Sequence, residues 1–118
     1  MDFRDETVRG LAARVAAGAL SARGLTEAAL DRIEAVNDAV NAFVAVDGEA
    51  AMAAAAAVDD VIASGGDPGP LAGVPLAVKD LEDAAGFRTT KGSVCFADRP
   101  VATGDSILVA RLKGAGAV

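Results

Sequence analysis

The stretch Gly69–Ser93, GPLAGVPLAVKDLEDAAGFRTTKGS, decides how the chain is read. Leu76, Ala77 and Val78 form a short apolar run that ends in Lys79 and Asp80. The spacing predicts a buried strand within Leu71–Asp80 whose C-terminal end presents the two charges. In open α/β sheets that end is where ligands bind. Ala84–Pro100 then reads as mostly loop, with Gly86, Gly92 and Pro100 as punctuation.

Upstream the pattern is helical. Val8, Leu11, Ala12 and Val15 follow i, i+3, i+4, i+7 spacing, which predicts a helix over about Glu6–Ala19. Ser21 is placed to cap a second helix that runs to about Asn37, with Leu25, Ala29, Ile33 and Val36 as its apolar stripe. Asn41–Val46, carrying Phe43, Val44 and Val46, reads as a short buried strand. Asp47 is placed to cap a third helix over Gly48–Ala63, whose face of Ala51, Ala55, Val58 and Ile62 is built mainly from small residues. The run Ser64–Pro70 is a loop by composition. Downstream, Asp105 or Thr103 can cap a helix over Ser106–Lys113, ended by Gly114 and Gly116. Ala117 and Val118 read as the start of another strand. Residues 1–64 thus form a helical arm with a short strand, and residues 71–118 begin an α/β core.

Composition narrows the function classes. The 118 residues carry a net charge of −6, against the clustered Lys and Arg that phosphate backbones need, so nucleic acid is not expected as a direct partner. There is no histidine, which removes His-based triads and His metal ligands within this chain. A single cysteine allows no internal disulfide and fits a reducing, cytoplasmic setting. The start MDFRDETVRG is too polar for a secretory signal, and no apolar run nears the roughly 20 residues of a membrane span. Hydrophobic residues make up 53% of the chain, but 29 residues are alanine and Phe is the one aromatic type. Such a core is expected to lean on a larger body.

Lys79 is the sharpest chemical candidate. A lysine at the end of an apolar strand can lose hydration, which lowers its pKa and frees the neutral amine to act as a base toward a hydroxyl nucleophile. Two plain alternatives stand beside this: a solvated strand-end lysine, or one paired with a carboxylate such as Asp80. Asp80 is also placed to orient Lys79. Asp80, Glu82 and Asp83 match no metal-ligand pattern. Ser21 and Ser64 have capping and loop roles, Ser93 reads as a turn-closing residue, with lining the site of the whole enzyme as the alternative, and Ser106 as a first-turn helix residue. Cys95, between Val94 and Phe96, reads as a packed, unreactive thiol.

Gly73-Val74-Pro75, then Lys79-Asp80, then Gly86-Phe87-Arg88-Thr89-Thr90-Lys91-Gly92-Ser93 resemble the opening of the amidase-signature core. Asp105–Val118, DSILVARLKGAGAV, is similar to the helix and glycine turn that follow it in that family. Leu30-Asp31-Arg32-Ile33 and Asn41-Ala42-Phe43 resemble its N-terminal helices. The resemblance implies an α/β fold, the N-terminal part of a mixed-sheet core covered by helices. It implies carboxamide C–N hydrolysis by a Ser–cis-Ser–Lys triad in the complete protein. Lys79 is the one triad member that maps onto this chain; the two serines are expected beyond Val118, so residues 1–118 alone are expected to be inactive. The implied partner is a small-molecule amide, with no cofactor, no metal and no membrane, and a homodimer is left open. Leu81–Phe87 looks more like stand-alone amidases than like the A subunits of aminoacyl-tRNA amidotransferases, which share this core. A non-catalytic interaction module, with Lys79 merely structural, is the reading of another class.

Overall fold

The computed structural model describes residues 1–118, which divide into two compact units: Met1–Pro75 with Ala115–Val118, and Leu76–Gly114.

The first unit is helical. A 3-10 turn at Phe3–Asp5 precedes α1 (Val8–Ala16), α2 (Ala22–Val40) and α3 (Gly48–Ala63). Each helix starts on a side-chain cap. Thr7, Ser21 and Asp47 accept from the backbone N–H of Gly10, Gly24 and Ala50, three residues on, which satisfies one donor left orphaned by helix geometry. The α3 bounds and cap match the sequence expectation. Leu11, Val15, Leu25 and Ala55 of the expected stripes are buried together with Ala22 and Ala72, and Val58, Ile62 and Val118 pack against them; Val8, placed on the α1 stripe, is instead exposed at the first turn of that helix. Ala22 and Ala55 are fully buried. Small side chains at these sites let the helices approach closely, and α2 packs on α3.

Two polar contacts shape this unit in ways that the apolar pattern does not display. Asp59, from the last turns of α3, accepts the Ala22 N–H at 2.7 Å and the Arg23 N–H at 3.2 Å. Its carboxylate thus sits on the N-terminus of α2, where the helix dipole favours negative charge. Asn37 grips Phe43: its Nδ2 donates to the Phe43 carbonyl at 2.9 Å and its Oδ1 accepts the Phe43 N–H at 2.8 Å.

The Asn37 grip corrects the expectation of a strand over Asn41–Val46. The Phe43 backbone groups that would enter a ladder are taken by a side-chain amide. The helix before it runs three residues further than expected, to Val40, and Asn41 turns the chain in the left-handed region at φ 48°. Val44 and Val46 are exposed rather than buried.

The strand expected within Leu71–Asp80 is not formed either. Residues 70–73 are a turn. The N–H groups of Leu71 and Gly73 donate to the Ala115 and Gly116 carbonyls, and the Val118 N–H donates to the Val74 carbonyl at 3.0 Å. These bonds tie 71–74 to 115–118 without the regular alternation of a ladder, so the strand start read at Ala117 and Val118 is not formed within this chain. No further rung follows, so the mixed sheet of the expected core is not seen in residues 1–118. Gly73 is required at this join. It has φ +64°, and a Cβ there would lie 2.5 Å from the Ala22 Cβ.

The second unit, Leu76–Gly114, is mostly irregular, with a 3-10 turn at Val94–Phe96 and one helix, α4 (Ile107–Gly114). Ser106 caps α4: its Oγ accepts the Val109 N–H at 3.4 Å. This displaces the expected caps, Asp105 and Thr103, and moves Ser106 from the first turn to the boundary. Asp105 instead accepts the Ala85 N–H at 2.8 Å and pairs with Lys113 at 2.9 Å. No helix is long and apolar enough to cross a membrane.

Candidate active site

Lys79 lies in the second unit, directly after Leu76–Val78. Those three residues make no backbone hydrogen bonds, and Ala77, Val78 and Lys79 are exposed. A strand holds its shape through a neighbour's N–H and C=O groups, and here none is present. The expected burial of Lys79 is therefore not met within residues 1–118. What is defined is its backbone. The Lys79 carbonyl accepts the N–H of Leu81 at 2.7 Å and of Glu82 at 3.0 Å, closing a tight turn.

Asp80 does not pair with Lys79, which forms no ion pair. Its carboxylate accepts the Thr90 N–H at 2.7 Å, the Gly92 N–H at 3.3 Å and the Thr90 hydroxyl in a short hydrogen bond. The Thr90 hydroxyl, then the Thr90 N–H, hold the Asp80 carboxyl below the usual carboxylate range. The loop makes this possible by turning left-handed at Lys91, φ 56°, and Gly92, φ 65°. Successive N–H groups in such a turn form a concavity suited to an anion.

A second carboxylate–threonine pair lies beside the first. The Thr89 hydroxyl, buried, donates to Asp83 at 2.6 Å. The two adjacent threonines of Gly86–Ser93 are thus each held by one acid of Asp80-Leu81-Glu82-Asp83. In sequence those acids show only that they match no metal-ligand pattern. The available signal is two threonine hydroxyls and three acids within one short segment. The Gly86 N–H donates to the Ala102 carbonyl, and the Ala102 N–H to the Phe87 carbonyl, which closes the loop at its base.

The remaining sequence candidates are placed plainly. Ser93 closes its turn as expected: its N–H donates to the Thr90 carbonyl, and its Oγ accepts the Cys95 N–H at 3.3 Å. Ser21 caps α2, and Ser64 donates to the Val61 carbonyl. Cys95 corrects its expectation: the thiol is free and exposed. Apolar neighbours in sequence do not bury a residue on a surface 3-10 turn, and Val94 is itself 89% exposed. A cavity of about 350 Å³ lies in this unit, lined by Asp83, Thr89, Arg99 and Pro100–Gly104; Lys79 is not among its walls.

Solved structures that share this geometry define the class. A chain of a vestigial protein complex, described as revealing the evolutionary origins of an s-triazine catabolic enzyme, superposes with a TM-score of 0.91 at 42% identity, over 96% of this chain and 25% of its own. The native peptide amidase of Stenotrophomonas maltophilia superposes with a TM-score of 0.85 at 37% identity, over 98% of this chain and 24% of its own. The chain spans about a quarter of each of these structures. The amidase family model matches residues 24–118, and the chain belongs to that family. Among curated relatives, the A subunit of the glutamyl-tRNA(Gln) amidotransferase of Salinispora tropica is 52% identical over 99% of this chain and 24% of its own length. The corresponding subunit of Thiobacillus denitrificans is 46% identical over 93% of this chain and 22% of its own. The chain spans about a quarter of the length of the relatives it matches. These relatives give no support to the expected preference for stand-alone amidases, whereas the solved structures include one.

Proposed function

We propose that the complete protein cleaves the C–N bond of a carboxamide, with Lys79 as its proton acceptor. The observation that carries this reading is the pair Lys79-Asp80: the lysine is free of ion pairs while the adjacent carboxylate is occupied by Thr90 and Gly92. A lysine that works as a base must be able to lose its proton near neutral pH, and a carboxylate bonded to it would oppose that loss.

In the proposed cycle the neutral Lys79 amine takes the proton of a bridging serine. That serine takes the proton of a second, nucleophilic serine, whose oxygen attacks the amide carbonyl. The tetrahedral intermediate collapses, the C–N bond breaks, and the nitrogen leaves with a proton returned through the bridge. Water then cleaves the acyl ester by the same route in reverse. Both serines are assigned by family resemblance to the part of the protein after Val118.

A second reading is favoured by the 52% identity to an amidotransferase chain. In that reading the ammonia released from a donor carboxamide passes to an acceptor rather than to solvent. The two readings share the Lys79 step and differ in the fate of the nitrogen. The test is ammonia release from a panel of carboxamides by the complete protein and its Lys79→Ala variant. Loss of about a thousandfold or more in kcat, with the melting temperature kept, is expected for removal of a triad member. Activity within a few-fold of the unmodified protein would sink the assignment. Release that depends on a partner chain and an acceptor selects the second reading.

A further inference from the structure

Two features of the second unit converge on one residue. The first is the set of donors around Asp80. Three groups of the loop point their hydrogens at its carboxylate: the Thr90 hydroxyl, the Thr90 N–H and the Gly92 N–H. The second is the turn at Lys79, whose carbonyl is tied to the N–H groups of Leu81 and Glu82. The backbone joining Lys79 to Asp80 is therefore fixed on one side by a main-chain turn and on the other by a loop ten to twelve residues downstream.

We infer that Asp80 and Thr90 together form a positioning device for Lys79: Thr90 holds the Asp80 carboxylate in the loop, which both orients the lysine's backbone and withholds from its amine the counter-charge adjacent in sequence. The inference rests on the proposed role of Lys79. The physical case is one of competition. A carboxylate adjacent in sequence to an ammonium is one of the partners open to it, and an ion pair stabilises the protonated amine. Thr90 removes that option by supplying two donors to the carboxylate, one of them a hydroxyl. The other titratable groups of the two segments are Glu82 and Asp83 beside Asp80, and Arg88 and Lys91 in the loop. Asp83 is engaged by the Thr89 hydroxyl. Asp80 is the acid engaged by the loop's left-handed turn, and Thr90 is the residue whose side chain occupies it.

The test uses the complete protein and the pH dependence of kcat/KM. Thr90→Val removes the hydroxyl and frees one carboxylate oxygen. The acidic limb is expected to move up by roughly one pH unit, the scale of a newly available opposite charge. Thr90→Ser, which keeps a hydroxyl, is expected to restore the original limb. Asp80→Asn loosens the same loop but has no charge to offer, so it is expected to lower kcat without raising the limb. A merely structural role would lower the melting temperature of all three alike and leave the limb where it was. An unmoved limb in Thr90→Val, or the same upward shift in Asp80→Asn, overturns the inference. Should Thr90→Val fail to fold, Thr90→Ala carries the same test: its acidic limb is also expected to move up, and an unmoved limb overturns the inference. Lys79→Ala, run in parallel, separates the two claims. An active Lys79→Ala variant sinks the proton-acceptor reading, whereas an inactive one with an unmoved Thr90→Val limb sinks the positioning device alone.

Discussion

The helical unit buries Leu11, Val15, Ala22, Leu25, Ala55 and Ala72 as one cluster, whereas the unit that carries Lys79 buries Ala84, Thr89 and Val109. The second unit is tied instead by acids: Asp80 to Thr90 and Gly92, Asp83 to Thr89, Asp105 to Ala85 and Lys113. Apolar burial is non-directional and insensitive to pH, while a carboxylate bond is directional and present when the acid is ionised. The contrast separates two tasks. Packed helices give bulk stability, and a short network of charged acceptors gives a defined loop next to Lys79.

Substitutions can break that comparison. The largest effect on stability is expected from Gly73→Ala in the helical unit. The new Cβ meets the Ala22 Cβ at 2.5 Å in a left-handed conformation, and overpacking plus backbone strain cost about 2–4 kcal/mol. Chemical denaturation of the complete protein measures this; a loss below about 1 kcal/mol would mean that the join at Gly73 relaxes freely. A smaller effect is expected from Asp59→Ala. It removes the carboxylate from the α2 N-terminus, at about 1 kcal/mol on the scale of helix caps. Ser21 still caps Gly24, so the first turn of α2 is expected to persist with faster amide exchange at Ala22 and Arg23.

The smallest and most local effect is expected from acid. The Asp80 carboxyl is lowered in the folded state by the Thr90 bonds, and the Asp105 carboxyl by the Ala85 N–H and Lys113. A depressed folded value means stabilisation that is complete above the unfolded value of 3.8 and is lost as pH falls through the lower, folded value. The amide resonances of Thr90 and Ala85 are therefore expected to titrate with midpoints below 3.8. The core resonances of Leu25 and Val15 are expected to stay unchanged over the same range. Midpoints at or above 3.8, or joint movement of both units, would remove the distinction between them.

Legibility divides along the same line. Local signals are legible: α3 over Gly48–Ala63, the Ser21 and Asp47 caps, and Leu25 as the buried anchor of α2. Each depends on residues three or four apart on one helix. Contacts between distant segments were not read. Asp59 capping α2 spans 37 positions, and the Asp80–Thr90 bond spans ten. A single sequence carries no local mark of such pairings, because many acids and donors could satisfy the same chemistry.

Strands fall between these cases. Leu76–Val78 has the apolar character of a buried strand, and three backbone bonds tie 71–74 to 115–118 without forming one. A strand is nevertheless a property of two chains side by side, so the apolar run alone cannot make one. The residues around Lys79 were enough to mark it and to place it in a family motif, since motif spacing survives in one dimension. Which acid leaves Lys79 free, and which hydroxyl holds that acid away, was settled in three dimensions, because hydrogen bonds depend on where donors and acceptors meet in space and not on their order along the chain.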